Sequence, residues 1–257
     1  MTYYCTLASG SSGNCSVYVS GRQRILIDAG KNARYISEQL RHLGLGLADL
    51  THILITHSHS DHVSALPVLL KHSGAALVCS WDTYSAIARK LPPDVPKLLF
   101  EEGERFLLGD CPVRTFATPH DAPGSCGYVL GAGREQVALC TDMGTMTGEI
   151  FEAIRGSRAV LLEFNHDVEM LKTGPYPYPL KRRILSDQGH LSNAFAAKVA
   201  ARLCGTGTSH VILAHLSAEN NRPQLALDAA RLALEAEGLE AELILAPRDG
   251  LGTPVLL

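Results

Sequence analysis

His52-Ile53-Leu54-Ile55-Thr56-His57-Ser58-His59-Ser60-Asp61-His62 changes character half-way along. His52–Thr56 is a continuous, β-branched and mostly apolar run, the pattern of a strand buried on both faces. The six residues from His57 to His62 then hold three histidines and an aspartate. Neutral imidazole and carboxylate are the side chains that hold Zn²⁺, Mn²⁺ or Fe²⁺. Burying a carboxylate among imidazoles costs several kcal/mol unless a cation compensates. A polar surface loop is the competing reading, and the density of ligand types argues against it. A buried strand thus delivers a metal-ligating loop at its carboxyl end, where open α/β sheets bind their ligands.

Working outward, short strands are predicted at Tyr3–Ala8, Cys15–Val19 and Arg24–Asp28, parted by the turn signals Ser9–Asn14 and Ser20-Gly21. A helix follows at Ala33–Leu43, then a strand at Ala75–Cys79 and a helix at Trp81–Arg89. Strands fill the middle at Arg105–Leu108, Val113–Ala117, Gly127–Leu130 and Gln136–Thr141. The last part alternates again: helix Thr147–Ile154, strand Ala159–Phe164, helix Ser192–Cys204, strand His210–Ala214, helix Pro223–Glu235 and strand Ala241–Leu245. Helix–strand alternation at both ends with strands between predicts an α/β fold with two sheets covered by outer helices. Thr51–His57 and Ser209–His215 echo each other, each placing a histidine after an apolar strand, which is consistent with two related halves. No linker-like stretch interrupts the chain, so residues 1–257 are read as one domain.

The chain has 257 residues, 46% hydrophobic and 19% charged, enough for a sizeable core and unlike a disordered chain. Lys and Arg number 23 against 26 Asp and Glu, a net charge of −3, so no global basic field points to nucleic acid. Any polyanion contact must be local. No apolar run is long enough to span a membrane, and Met1-Thr2-Tyr3-Tyr4 is not a secretory signal. Seven scattered cysteines without a CxxC pair read as reduced thiols in the cytoplasm.

The His57–His62 segment resembles the HxHxDH signature of the metallo-β-lactamase fold, and further motifs extend the resemblance over nearly the whole chain. Ile25–Gly30 is similar to the early strand ending in DxG, whose aspartate, here Asp28, braces the metal loop. Thr118-Pro119-His120-Asp121, Cys140-Thr141-Asp142-Met143-Gly144 and Leu213-Ala214-His215-Leu216-Ser217 are similar to the third, fourth and fifth motifs. The resemblance implies an αββα sandwich of two mixed sheets. It also implies two divalent cations: one at His57, His59 and His120, the other at Asp61, His62 and His215, with Asp142 bridging. Zinc or manganese is the expected pair, with iron a further option. His42 and His72 are read as solvated, and His52 and His210 as structural.

Fold does not give substrate. An aspartate at the bridging position separates the chain from typical antibiotic-degrading β-lactamases. The stretch after His215 is too short for the helical substrate domain of glyoxalase-II-like thioesterases. Two elements point to phosphodiesters instead. Glu163, at the end of one strand, and His190, in Gly189-His190-Leu191-Ser192, are similar to a pair that cooperates in nucleases of this fold. There the histidine, polarised by the glutamate, protonates the leaving oxygen. The competing reading leaves Ser192 or Asn193 as a helix cap and His190 merely preceding it. The stretch from His120 to Asp142 is too short for the arm of transfer-RNA processing enzymes. That from Asp142 to His190 is too short for the inserted domain of the ribonuclease-J-like group.

The chain most resembles the small YycJ/WalJ-like group. The matching stretches are Leu7–Asn14, Phe164–Asp167, Gly174–Pro177 with Leu180–Ile184, and His215–Asn221. The resemblance implies a dinuclear phosphodiesterase, a 5′-to-3′ DNA exonuclease, in which a hydroxide shared by the cations attacks phosphorus. Asp61 would position that hydroxide, and Glu163 and His190 would supply the proton. Lys181, Arg182 and Arg183, near Tyr176 and Tyr178, suit a single-stranded nucleic acid or else a solvated loop. Ser11 and Ser12 lie in a loop that offers backbone N–H groups to phosphate or simply makes a hairpin turn. His166 and Asp167 line the pocket mouth or pair with each other. The nearest rival function is a small-molecule hydrolase (cyclic phosphodiesterase, lactonase or thioesterase) on the same two metals, and a second is a metal-binding regulatory or scaffold protein with no turnover.

Overall fold

In the computed structural model, which describes residues 1–257, the run after His52 lies inside a seven-stranded sheet. Its strands, in spatial order, are β14 (Val255–Leu256), β1 (Tyr3–Ala8), β2 (Cys15–Ser20), β3 (Gln23–Ile27), β4 (His52–Leu54), β5 (Ala76–Ser80) and β6 (Lys97–Phe100). A second sheet of seven follows chain order: β7 (Arg105–Leu108), β8 (Cys111–Ala117), β9 (Cys126–Leu130), β10 (Val137–Cys140), β11 (Ala159–Glu163), β12 (His210–Ala214) and β13 (Glu242–Leu245). In each sheet the first four strands pair antiparallel and the last four parallel. The topological likeness of the halves is therefore real, but the echoing segments are not its equivalent members. β4 occupies the fifth place in its sheet, whereas β12 occupies the sixth in the other.

The helices are α1 (Ala33–His42), α2 (Ser60–Val63), α3 (Leu66–Ser73), α4 (Trp81–Ile87), α5 (Gly148–Ile154), α6 (Val168–Thr173), α7 (Tyr178–Ile184), α8 (Asn193–Cys204) and α9 (Pro223–Ala236). Side-chain alternation along each strand builds three apolar layers. Ile25, Ile27 and Leu54 face the second sheet and meet Tyr128, Leu139, Leu161 and Ile212 in a cluster of 21 buried residues. Their neighbours Leu26 and Ile53 point the other way, onto Ile36, Leu40, Leu66 and Leu69 of α1 and α3. Val160, Leu162, Val211 and Leu213 face outward onto α5, α8 and α9. Each fully buried Leu or Ile contributes roughly 1.5–3 kcal/mol. The result is the expected helix–sheet–sheet–helix sandwich.

Local differences have local causes. β4 ends at Leu54 rather than Thr56, because the Thr56 N–H leaves the ladder to donate to Asp28 Oδ1 at 2.9 Å. α3 is signalled in the sequence only as a helix or helix end at His72, without bounds: Pro67 reads as a breaker, yet it stands in the first turn, where its missing N–H costs nothing. α6 and α7 were hidden by Pro175, Pro177 and Pro179, and β6 and β14 are too short to show periodicity.

Asp28, Asp142 and His215 are the non-glycine residues with positive φ, at 59°, 57° and 56°. They follow β3, β10 and β12 at the carboxyl ends of the strands. Such conformations cost of order 1–3 kcal/mol each and gather at functional sites.

Candidate metal centre

Asp28 turns the loop after β4 into a fixed scaffold. Its Oδ1 accepts from the Thr56 N–H at 2.9 Å and from the Thr56 hydroxyl at 3.1 Å. Its Oδ2 lies 2.8 Å from His62 Nδ1. Thr56 Oγ1 is in turn 3.0 Å from His57 Nδ1. Both rings are thereby aimed with Nε2 into the space between the sheets' carboxyl ends. Asp61 and His62 sit in α2, so one turn of helix carries both.

Across this space the second sheet contributes His120, Asp142 and His215, and all seven predicted ligands converge. His57, His59 and His120 form one group whose candidate ligand atoms lie within 4.8 Å of one another; Asp61, His62 and His215 form another. Asp142 reaches both: its Oδ1 is 4.0 Å from His120 Nε2 and 3.5 Å from His215 Nε2, and its Oδ2 is 3.4 Å from His62 Nε2. His120 Nε2 is 3.3 Å from His59 Nδ1. Two nitrogens each ~2.0–2.1 Å from a tetrahedral zinc ion stand about 3.3–3.4 Å apart, so these spacings suit a metal. His57 Nε2, Asp142 Oδ2 and His215 Nε2 are buried without a hydrogen-bond partner, which normally costs ~1–3 kcal/mol per group. Cations held by the two groups would satisfy all three.

The protonation pattern agrees. Burial would raise the Asp61, Asp142 and Glu163 carboxyls, but the surrounding imidazoles hold all three below the usual range. Burial would lower His62, yet the Asp28, Asp142 and Asp61 carboxylates push it up to about 9. His215 is raised in the same way, chiefly by Asp142. His57, without a carboxylate partner, is driven well below 6.5 by burial and four neighbouring imidazoles. Protons on His62 and His215 thus balance charge that a divalent cation is suited to balance.

Glu163 and His190 meet as predicted, Oε1 to Nδ1 at 2.7 Å. Burial lowers the His190 pKa, and Glu163 more than reverses this, leaving it raised. Glu163 has wider duties than one partner. Its Oε1 also lies 2.9 Å from His215 Nδ1, and its Oε2 accepts from the Met143 N–H at 3.1 Å and the Leu191 N–H at 3.4 Å. The register Glu163↔Ala214 explains the second imidazole, because His215 is the next residue. Ser192 does cap α8, accepting from the Phe195 N–H at 3.3 Å; the cap and the Glu163–His190 pair coexist. Gly189 permits the approach, since a Cβ there would lie 2.2 Å from the Ile184 carbonyl oxygen.

A cleft of about 270 Å³ opens above the cluster, walled by Ser11, Asp121, Tyr176, Leu180 and Arg183. The basic triplet is split around it. Arg183 faces the cleft, tied to Asp121 Oδ2 at 2.9 Å. Lys181 Nζ is spent on the carbonyls of Lys172 and Gly174, both at 2.7 Å, and the Arg182 guanidinium lies 6.0 Å from the Tyr178 ring centroid. Ser11 lines the cleft, whereas Ser12 Oγ accepts from Lys31 Nζ at 2.8 Å. The loop's N–H groups mostly turn inward: those of Ser9, Gly10, Gly13 and Asn14 donate to Pro247 O, Asn14 Oδ1, Gly10 O and Asp61 O. Asp167 caps α6 by accepting from the Met170 N–H at 2.9 Å. His166 is buried away from the cleft, with neither ring nitrogen partnered. Neither lines the mouth, and they do not pair. Residues to which the sequence reading gave no place at the site include Thr56, Asn14, Asn165 and Asp121. Asp121 was signalled only by its position directly after His120.

Residues 23–216 match the β-lactamase superfamily domain. The chain is 36% identical over 239 residues to exodeoxyribonuclease YycJ of Bacillus anthracis, covering 92% of this chain and 90% of that protein. It belongs to the β-lactamase superfamily. Exodeoxyribonuclease WalJ of Streptococcus pneumoniae (strain R6) is also 36% identical, over 227 residues, covering 87% of this chain and 84% of that one. The crystal structure of the metallo-β-lactamase fold protein YhfI from Bacillus subtilis superposes with a TM-score of 0.75, covering 98% of this chain and 100% of that one. At 15% identity this establishes the shared fold alone. Like its superfamily relatives, the chain is a metal-dependent hydrolase.

Proposed function

We propose that this protein is a dinuclear metal-dependent phosphodiesterase that degrades DNA from the 5′ end. The observation that carries the reading is the meeting of seven ligand-type side chains with the Glu163–His190 pair at one cleft, in a chain 36% identical to two exodeoxyribonucleases. Two divalent cations, zinc or manganese with iron a further option, would acidify a water and stabilise charge on the attacking and leaving oxygens. They would be held by His57, His59 and His120 and by Asp61, His62 and His215, with Asp142 shared. Asp61, less buried than Asp142, orients the nucleophile. His190, kept cationic by Glu163 at Nδ1, gives the proton on Nε2 to the departing oxygen. Arg183, steadied by Asp121, receives a phosphate oxygen at the cleft mouth.

Residues 1–257 are proposed to form one domain, which is supported by the pairing of Tyr3 with Leu256 across the first sheet. A cytoplasmic location is supported by seven cysteines that are all free thiols. No helix is long and apolar enough to cross a membrane.

The modest size of the cleft favours a second reading, hydrolysis of a small phosphodiester, lactone or thioester on the same centre. Digestion of 5′-labelled single-stranded DNA with zinc or manganese separates the two. The DNA reading expects labelled mononucleotide as the first product and a rate that falls steeply with salt. Intact label beside rapid, salt-insensitive turnover of a small ester would reject it.

A further inference from the structure

The β1–β2 loop, Ser9–Asn14, hydrogen-bonds to every member of the Asp61–His62–His215 group and to none of the His57–His59–His120 group. Asn14 is the centre of this contact. Its N–H donates to the Asp61 carbonyl at 2.8 Å, and its own carbonyl accepts from the Gly30 N–H at 2.9 Å. Its side-chain Oδ1 accepts from the Gly10 N–H at 2.9 Å, which fixes the end of the amide that faces the cluster. The amide Nδ2 then lies 2.9 Å from His62 Nε2 and 3.4 Å from Asp61 Oδ2. At the other end of the loop, Ser9 Oγ accepts from the His215 N–H at 2.8 Å, holding the backbone of a residue with φ 56°. Both Ser9 and Asn14 are buried.

The packing leaves no slack. A Cβ on Gly30 would lie 1.6 Å from the Asp61 carbonyl oxygen and 2.6 Å from Asn14 N, so only glycine lets these three backbone segments touch. Asp28 Oδ2 holds the proton of the neutral His62 ring on Nδ1, which leaves the Nε2 lone pair as the one a cation would take; the Asn14 amide that meets Nε2 would then turn to Asp61 Oδ2, its other partner. Partners that fix a ligand's tautomer and ring orientation typically change metal affinity by ~10–100-fold when removed.

We propose that Ser9 and Asn14 are positioning residues for one of the two cation positions, the one at Asp61, His62 and His215. The loop joins ligands from the first sheet to a ligand from the second and sets that position independently of the other. This inference rests on the dinuclear reading. It assigns the Leu7–Asn14 motif a task other than cradling phosphate, for which its inward-turned N–H groups are poorly placed.

The test is stepwise zinc affinity of the full-length protein, measured by competition with a chromophoric chelator and counted by native mass spectrometry. Asn14→Ala and Ser9→Ala are expected to weaken one of two binding steps by ~10–100-fold and to leave the other within about twofold. Ser9→Thr, which keeps the acceptor oxygen, is expected to restore the native value. Thr147→Ala, which removes the α5 cap at a residue that does not line the cleft, should lower thermal stability with both affinities unchanged. Should Asn14→Ala fail to fold, Ser9→Ala alone decides. Equal weakening of both steps, or native affinities in both variants, would overturn the inference while leaving the dinuclear reading intact. A native chain that binds a single ion would overturn both.

Discussion

The two ligand groups share one cluster but are held in different ways. In the His57–His59–His120 group, His57 has a single side-chain partner, Thr56, and the His59 side chain is 39% exposed. The polar partners of the His59 ring are His120 and Asp121. In the Asp61–His62–His215 group every member is braced. His62 lies between Asp28 and Asn14; His215 lies between Glu163 and the Asn165 amide, with its N–H on Ser9. The contrast separates two tasks. A ring with few restraints can shift as substrate enters, whereas a fully braced set keeps its geometry through the reaction. The open group also lies beside Arg183, through Asp121, and so beside the side chain best placed to receive a phosphate.

Asp142 is the residue proposed to serve both groups, and its loss should erase the contrast. Asp142→Ala is expected to abolish hydrolysis and to leave less than one equivalent of bound zinc by elemental analysis. His57→Ala should also abolish hydrolysis, but with the braced position still filled. If both variants keep the same metal content, the division into two groups is wrong.

His190 touches neither group as a ligand in this account. His190→Ala should retain the native metal content while slowing turnover by the ~10²–10⁴-fold expected of a lost general acid. Glu163→Gln should do more, because Glu163 also holds His215: a similar loss of rate together with weaker binding at the braced position. A Glu163→Gln variant that affects rate alone would detach Glu163 from the brace.

Acid sensitivity offers a smaller effect from outside both groups. Burial drives His166 down to about 4, below the ~6.5 of an unfolded chain. The neutral ring is therefore stabilised in the fold at pH values above about 6.5. That stability is lost as pH falls from 6.5 towards 4, because the unfolded chain then binds more protons. The full shift corresponds to roughly 3 kcal/mol. In His166→Gln, urea unfolding of the metal-free protein should show that much less destabilisation between these pH values. An unchanged pH profile would place the acid sensitivity in the ligand groups instead.

The smallest effect concerns the basic triplet. Arg183→Gln should raise the KM for single-stranded DNA several-fold and reduce the slope of log affinity against log salt by about one. Lys181→Gln should act on stability, through the carbonyls it holds, and Arg182→Gln should change little. Equal effects on KM from all three would mean that the run binds as a charged patch.

Legibility in the sequence followed the same division. Four of the proposed ligands lie within His57–His62, and local spacing next to an apolar strand was enough to single them out. His120, Asp142 and His215 stand at the ends of separate strands, so only the order of family motifs marked them. The braces were hardest to see. Asn14 is 47 positions from Asp61 and Ser9 is 206 from His215, and nothing in a local pattern announces a contact across that distance. The Lys181–Arg183 run was ambiguous for the opposite reason. Adjacent residues on the short helix α7 point in different directions, so contiguous charge did not become a contiguous surface. The apolar layers were legible where the strands are long enough, because strand alternation depends on neighbours two positions away.

Native mass spectrometry of the zinc- or manganese-reconstituted protein counts the ions that the two groups hold. Two ions per chain are expected, filled in two separable steps. A chain that takes up no ion, or never more than one at any concentration short of unfolding, would contradict the dinuclear reading.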